Sequence, residues 1–161
     1  RRVLFRSVGD VPPTDAPGFG ALLEALRDLA AWGERAGATL CAEAGRASPA
    51  DLLRLAAALP EGALGCTLVT GALVVHGHDP AAAAADLSAL LRHVHLTDAL
   101  PGSFAGHGRA VPLFRGAVDV APVLAVLDER DYRGWFGLEA AGGRDAVAEL
   151  SGAAARLGAI G

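Results

Sequence analysis

Short apolar runs of strand length alternate along this chain with longer stretches whose apolar residues recur at helical spacing. That alternation limits the possible folds more than any other feature. Residues 38–44, 64–70, 92–98 and 134–139 read as strands. Helices are expected at about 19–36, 49–59, 80–91, 120–130 and 144–157, where Leu22, Leu26, Leu29 and Ala30, or Leu87, Leu90 and Leu91, supply buried stripes. Several ends are marked chemically. Ser48 before Pro49 and Asp79 before Pro80 are N-cap and first-turn pairs, Asp119 stands where a cap belongs, and Gly37 and Gly158 are natural stops. Strands that recur at spacings of roughly 25 to 45 residues, with helices between, predict a parallel sheet with right-handed crossovers. Residues 8–18, 71–79 and 99–117 read as loops, and no linker divides the chain.

Composition removes several functional classes. The 161 residues are 52% hydrophobic and 20% charged, which is globular. No apolar run of about 18 residues predicts a membrane span, and no signal peptide is visible. All 14 basic residues are Arg, so Schiff-base and phosphate-loop lysine chemistry is excluded within this stretch. The net charge of -4 and the lack of a basic run argue against nucleic acid as a partner. Cys41 and Cys66 lie in apolar strands and read as buried thiols of a reducing, cytoplasmic compartment. Residues 1–7 resemble a translated adapter sequence, and no Met occurs anywhere, so they are expected to be a non-native scar ahead of a domain at 8–161.

The ionisable residues gather where such folds perform chemistry. In parallel β/α folds, sites form beyond the carboxyl ends of the strands. Glu43 is next to last in its strand, His95 and Asp98 are near the end of theirs, and Glu139 closes the last one. The alternation in Arg92-His-Val-His-Leu-Thr-Asp98 places His93 and His95 on one face. Two carboxylates and an imidazole suit a divalent cation such as Mg, Mn, Co or Zn, which polarises a carbonyl while paired carboxylates move a proton beside it. Arg109 and His107, in a Gly-rich loop, are candidates for substrate contact; as ordinary surface residues they would do nothing. Asp98 either orients a neighbour or caps the loop. His76 and His78, beside the cap Asp79, read as solvent-facing.

Five segments together resemble the xylose isomerase-like TIM barrels, a family of sugar and sugar-phosphate isomerases and epimerases with endonuclease IV as a distant member. They are Thr39-Leu-Cys-Ala-Glu43, Gly77-His-Asp-Pro80, His93-Val-His-Leu-Thr-Asp98, Gly108-Arg-Ala-Val-Pro-Leu113 with Gly116-Ala-Val-Asp119, and Tyr132-Arg-Gly-Trp-Phe-Gly-Leu-Glu139. The resemblance implies a (β/α)8 barrel, represented here by a carboxyl-terminal half of about four β/α units. It implies Glu43, His95 and Glu139 as metal ligands, with Glu43 and Glu139 flanking the substrate as the catalytic pair. It further implies a small sugar or sugar phosphate as the ligand and allows a homo-oligomer.

Two departures matter. The family usually has an Asp near the end of the second of these strands and a His three residues later, where this chain has Val69 and Ala72. Loss of that carboxylate weakens a metal site, which opens the alternative of an impaired barrel that binds a carbohydrate or a partner without catalysis. Phe114 and Arg115 also replace a segment in which Gly is common. A doubly wound nucleotide-binding domain is the weaker third reading, because no strand leads into a Gly-x-Gly-x-x-Gly turn.

Overall fold

Side-chain chemistry at the ends of the elements sets where they begin and stop. In the computed structural model, which describes residues 2–142 and 145–160, a strand β1 (Arg2–Arg6) precedes helix α1 (Pro17–Arg35). Pro17 sits in the first turn, where its missing N–H has no helical partner to lose. Phe19, Leu23 and Leu26 face the core at helical spacing, whereas Leu29, expected on that stripe, is 42% exposed. Gly37, at φ 69°, turns the chain out of the helix. After β2 (Ala38–Ala44), the Ser48 hydroxyl opens α2 (Pro49–Ala57) by accepting from the Asp51 N–H at 3.1 Å.

Next come β3 (Gly65–Val69), a short helix α3 (Thr70–Val75), α4 (Pro80–Asp86), and β4 (Leu91–Leu96). Asp79 caps α4 by accepting from the Ala82 N–H at 2.7 Å. Strands β5 (Asp98–Pro101) and β6 (Gly108–Val111) form an antiparallel hairpin, followed by α5 (Val120–Glu129), β7 (Trp135–Leu138) and α6 (Ala146–Gly158). Asp119 precedes α5 but makes no side-chain cap, and Asp145 caps α6. The start expected for α6 at Arg144 lies outside the described residues.

The structure corrects two loops. Residues 71–79 contain most of α3, whose Thr-Gly-Ala-Leu-Val-Val sequence is apolar all round and hides the helical period. Residues 99–117 contain most of the hairpin, whose strands of four residues each are too short to show a clear alternation.

Five parallel strands form the main sheet in the order β1-β2-β3-β4-β7. Four were expected; the additional one is formed by residues 2–6, paired to β2 with Val3 opposite Thr39. Alternation gives the sheet two faces. Leu40, Ala42, Ala44, Cys66, Leu68, Val94 and Leu96 pack into one core with Leu52, Leu55, Leu73, Leu87 and Val123 of the helices. Truncating one such fully buried leucine, Leu52 or Leu55, to Ala costs about 2–5 kcal/mol. The opposite, inner face carries Cys41, Glu43, Thr67, Val69, His93, His95 and Gly137. Cys41 and Cys66 are buried free thiols, as expected. Among the described residues no helix is long and apolar enough to cross a membrane.

Candidate functional site

Strand register places the expected site residues relative to one another. Glu43 is level with Thr67, and Thr67 with His93. Val69, His95 and Gly137 form a row two residues nearer the carboxyl ends, and Glu139 stands two residues beyond Gly137. All share the inner face, because each pair on a strand is separated by an even number of positions. The stagger from Glu43 to Glu139 is therefore four residues over three strand steps. Barrel strands tilt by about 36° and lie about 4.8 Å apart, which displaces points of equal height by about one residue per strand. A tilt of that size is of the order of the stagger, and Glu43, His95 and Glu139 share the inner face on three strands of the sheet. Glu43 and His95 are half-buried and Glu139 is exposed.

The structure brings the two histidines together most closely. Their rings meet edge to face with centroids 4.5 Å apart. Gly137 makes the space: a Cβ there would lie 3.0 Å from His93 Cε1 and 3.0 Å from His95 Cδ2. Burial, together with the neighbouring His95, holds the His93 imidazole below the ordinary histidine range. Neither Gly137 nor Thr67 stood out in the sequence, since an isolated Gly or Thr in a strand carries no site signal before the register is known.

Asp98 is 3% exposed and serves the loop. Its Oδ1 accepts from the N–H groups of Ala99 at 2.8 Å and Val118 at 3.0 Å, and its Oδ2 from Gly116 at 2.7 Å and Arg115 at 3.1 Å. Of the two roles expected for Asp98 beside substrate contact, this is the loop cap. Gly116 is required for the close approach, because a Cβ there would collide with Asp98 Oδ1 and the Ala99 carbonyl. The junction of β3 and α3 is latched to the end of β4: Thr97 N–H donates to Thr70 Oγ1 at 2.9 Å, and Gly71 N–H donates to Thr97 Oγ1 at 2.9 Å.

A cavity of about 460 Å³ opens at this rim between β3, α3, the hairpin and the segment after β7. Glu139 lines it, together with Val69 and Ala72, the two positions at which the chain departs from the family pattern. His76 lines it too; it is half-buried, not solvent-facing, and its Nδ1 pairs with the Ala72 carbonyl at 2.9 Å. His107 and Arg109 are exposed on the hairpin. Gly108 and Ala110 line the cavity, so alternation along β6 sends Arg109 to the other side. His107 instead packs edge to face near Phe104, at 6.4 Å between centroids. A larger, apolar cavity between α5 and α6 lies on the helical side, away from these groups. Among the described residues no three His, Cys, Asp or Glu side chains stand close enough to hold a metal ion.

The family model for the xylose isomerase-like TIM barrel matches residues 3–157. A xylose isomerase domain protein from Planctomyces limnophilus superposes with a TM-score of 0.87 at 24% identity, over 98% of this chain and 57% of its own. A D-tagatose 3-epimerase-like protein gives a TM-score of 0.75 at 22% identity, over 99% of this chain and 63% of its own. A xylose isomerase-like TIM barrel protein from Mycobacterium smegmatis, in complex with magnesium, gives 0.70 at 19% identity, over 92% of this chain and 52% of its own. The chain spans between about half and two thirds of the length of these proteins. No curated protein matches it. At these identities the likeness establishes the fold.

Proposed function

The chain belongs to the xylose isomerase-like TIM barrel family, and on that premise we propose that it carries site residues of a sugar or sugar-phosphate isomerase or epimerase. One observation supports this reading above the others. Two carboxylates and an imidazole, distant in sequence, share the inner face of the sheet, and one of them, Glu139, lines the carboxyl-terminal cavity. This donor set fits a hard or borderline divalent cation in kind. Glu43, His95 and Glu139 would have to draw closer than they stand in this structure to hold a Mn, Mg, Co or Zn ion, which would supply Lewis acidity for a substrate carbonyl.

The remaining chemistry belongs to the side chains. Glu139, exposed beside the cavity, takes a proton from the carbon next to the carbonyl. Glu43, across the inner face, returns one. Return to the same carbon from the other side inverts it; return to the neighbouring carbon, with the hydroxyl proton of the first carbon passing to the former carbonyl oxygen, moves the carbonyl. Mn(II) titration of the full chain, paired with solvent-deuterium incorporation into a ketose, tests this. Binding and exchange that are both lost in Glu139→Gln and His95→Ala support the reading, and binding indifferent to both substitutions refutes it.

A second reading has its own observation. Val69, level with His95 on the inner face, offers no ligand atom where a further carboxylate would complete the set. A barrel impaired in this way binds a carbohydrate or a partner without chemistry. Absent Mn or Zn binding, with ligand affinity unchanged in Glu139→Ala, favours it.

A further inference from the structure

We infer that the cavity beside Glu139 accepts a deoxygenated segment of its ligand, an alkyl or methyl-bearing end, and discriminates against a sugar hydroxylated throughout. The inference rests on the reading of Glu139 as the group next to the reacting carbons. It follows from an inventory of the polar side-chain atoms that line the cavity. Val69, Ala72, Val75, Ala99, Val111 and Ala140 contribute apolar side chains to the wall. Asp98 is there, but four backbone N–H groups already occupy its two oxygens. Thr97 Oγ1 already accepts from Gly71, which leaves its hydrogen and one lone pair. His76 Nδ1 is engaged by the Ala72 carbonyl, which leaves its Nε2. Among the described residues the Glu139 carboxylate makes no hydrogen bond.

Among the described residues the side chains that line the cavity therefore offer a ligand a carboxylate, one imidazole nitrogen and one partly engaged hydroxyl. At about 460 Å³ it is large enough to enclose the body of a small molecule. A sugar with a hydroxyl on nearly every carbon would bury some of them against the Val and Ala side chains without partners, and each unpaired hydroxyl is penalised. A methyl or methylene end meets the same walls without that penalty. Volume and wall chemistry together select a carbonyl substrate that is polar at the Glu139 end and apolar beyond it.

The test compares D-fructose with its two terminally deoxygenated forms, each lacking the hydroxyl at one end, as ligands of the full chain by calorimetry. One deoxygenated form is expected to bind about 10–100-fold more tightly than D-fructose, the range by which an apolar pocket separates ligands that differ by one hydroxyl. The isosteric Val69→Thr and the small Ala72→Ser, which add hydroxyls to the wall, should narrow that ratio while the thermal midpoint stays near that of the parent. Equal or tighter binding of D-fructose overturns the inference, as does a ratio unmoved by both substitutions, or failure of all three sugars to bind. Mn(II) titration on the same samples separates the two readings. A preference for the deoxygenated form without Mn binding refutes only the metal assignment. Mn binding with a preference for D-fructose refutes only the apolar cavity.

Discussion

The imidazoles of His93 and His95 stack edge to face at 4.5 Å beside Gly137 of the neighbouring strand, whose missing side chain leaves room for both rings. Gly137 thereby constrains the ring of His95, the proposed metal ligand. Gly137→Ala brings a Cβ to 3.0 Å from each ring and must displace at least one. Loss of ligand orientation typically lowers metal affinity about 10–100-fold. Mn(II) titration of the variant should show that loss with circular dichroism unchanged. Unaltered affinity would remove Gly137 from the site.

Phe114 adopts φ 69°, a left-handed conformation that costs a non-Gly residue about 1–2 kcal/mol. Its ring rests against the core and under the Arg156 guanidinium, 4.2 Å from the centroid. Phe114→Ala and Phe114→Gly both remove the ring, but only Gly relieves the backbone. Urea denaturation should therefore find the Ala variant less stable than the Gly variant by about 1 kcal/mol. The reverse order would show that the strain is not felt.

Asp98 holds four N–H groups of one loop on two oxygens. Asp98→Asn turns an amide NH2 toward donors it cannot accept from. The expected loss is about 2–4 kcal/mol, since buried N–H groups lose charge-assisted partners. Hydrogen exchange should then accelerate at residues 99, 115, 116 and 118. Protection retained at those amides would contradict the loop-cap role.

Burial pushes the Cys41 thiol up to about 11 and the Cys66 thiol up to about 12, from an ordinary 9.0. A raised thiol pKa favours the protonated form in the folded state. The associated stability is full below the unfolded-chain value and is lost as pH rises through and beyond about 9. Stability measured from pH 8 upward should fall, and Cys66→Ala should flatten the decline. Ellman's reagent should find neither thiol in the native protein at neutral pH and both in denaturant.

Strands β1 and β7 are each paired on one side only in the described sheet. Trp135 is 75% exposed there, with Leu4 at 45% and Phe136 at 46%. Open apolar edges recruit further strands. The 161-residue polypeptide should associate or unfold at low concentration in light scattering. A clean monomer with two-state unfolding would count against open edges.

Local sequence pattern alone determined four of the five strands of the main sheet and the five longer helices between and around them, the caps at Ser48 and Asp79, and the shared face of His93 and His95. These are properties of neighbours within a few residues, where spacing dictates which side chains share a face. Tertiary structure decided the rest. The offset of Glu139 from Glu43 on the inner face depends on register between strands nearly a hundred residues apart in the chain. The room at Gly137, the commitment of Asp98 to four amides, and the shielding of His76 by α3 and the hairpin depend on contacts that no local pattern encodes. The chain itself could name the polar groups, but only packing settled which of them remain available to a ligand.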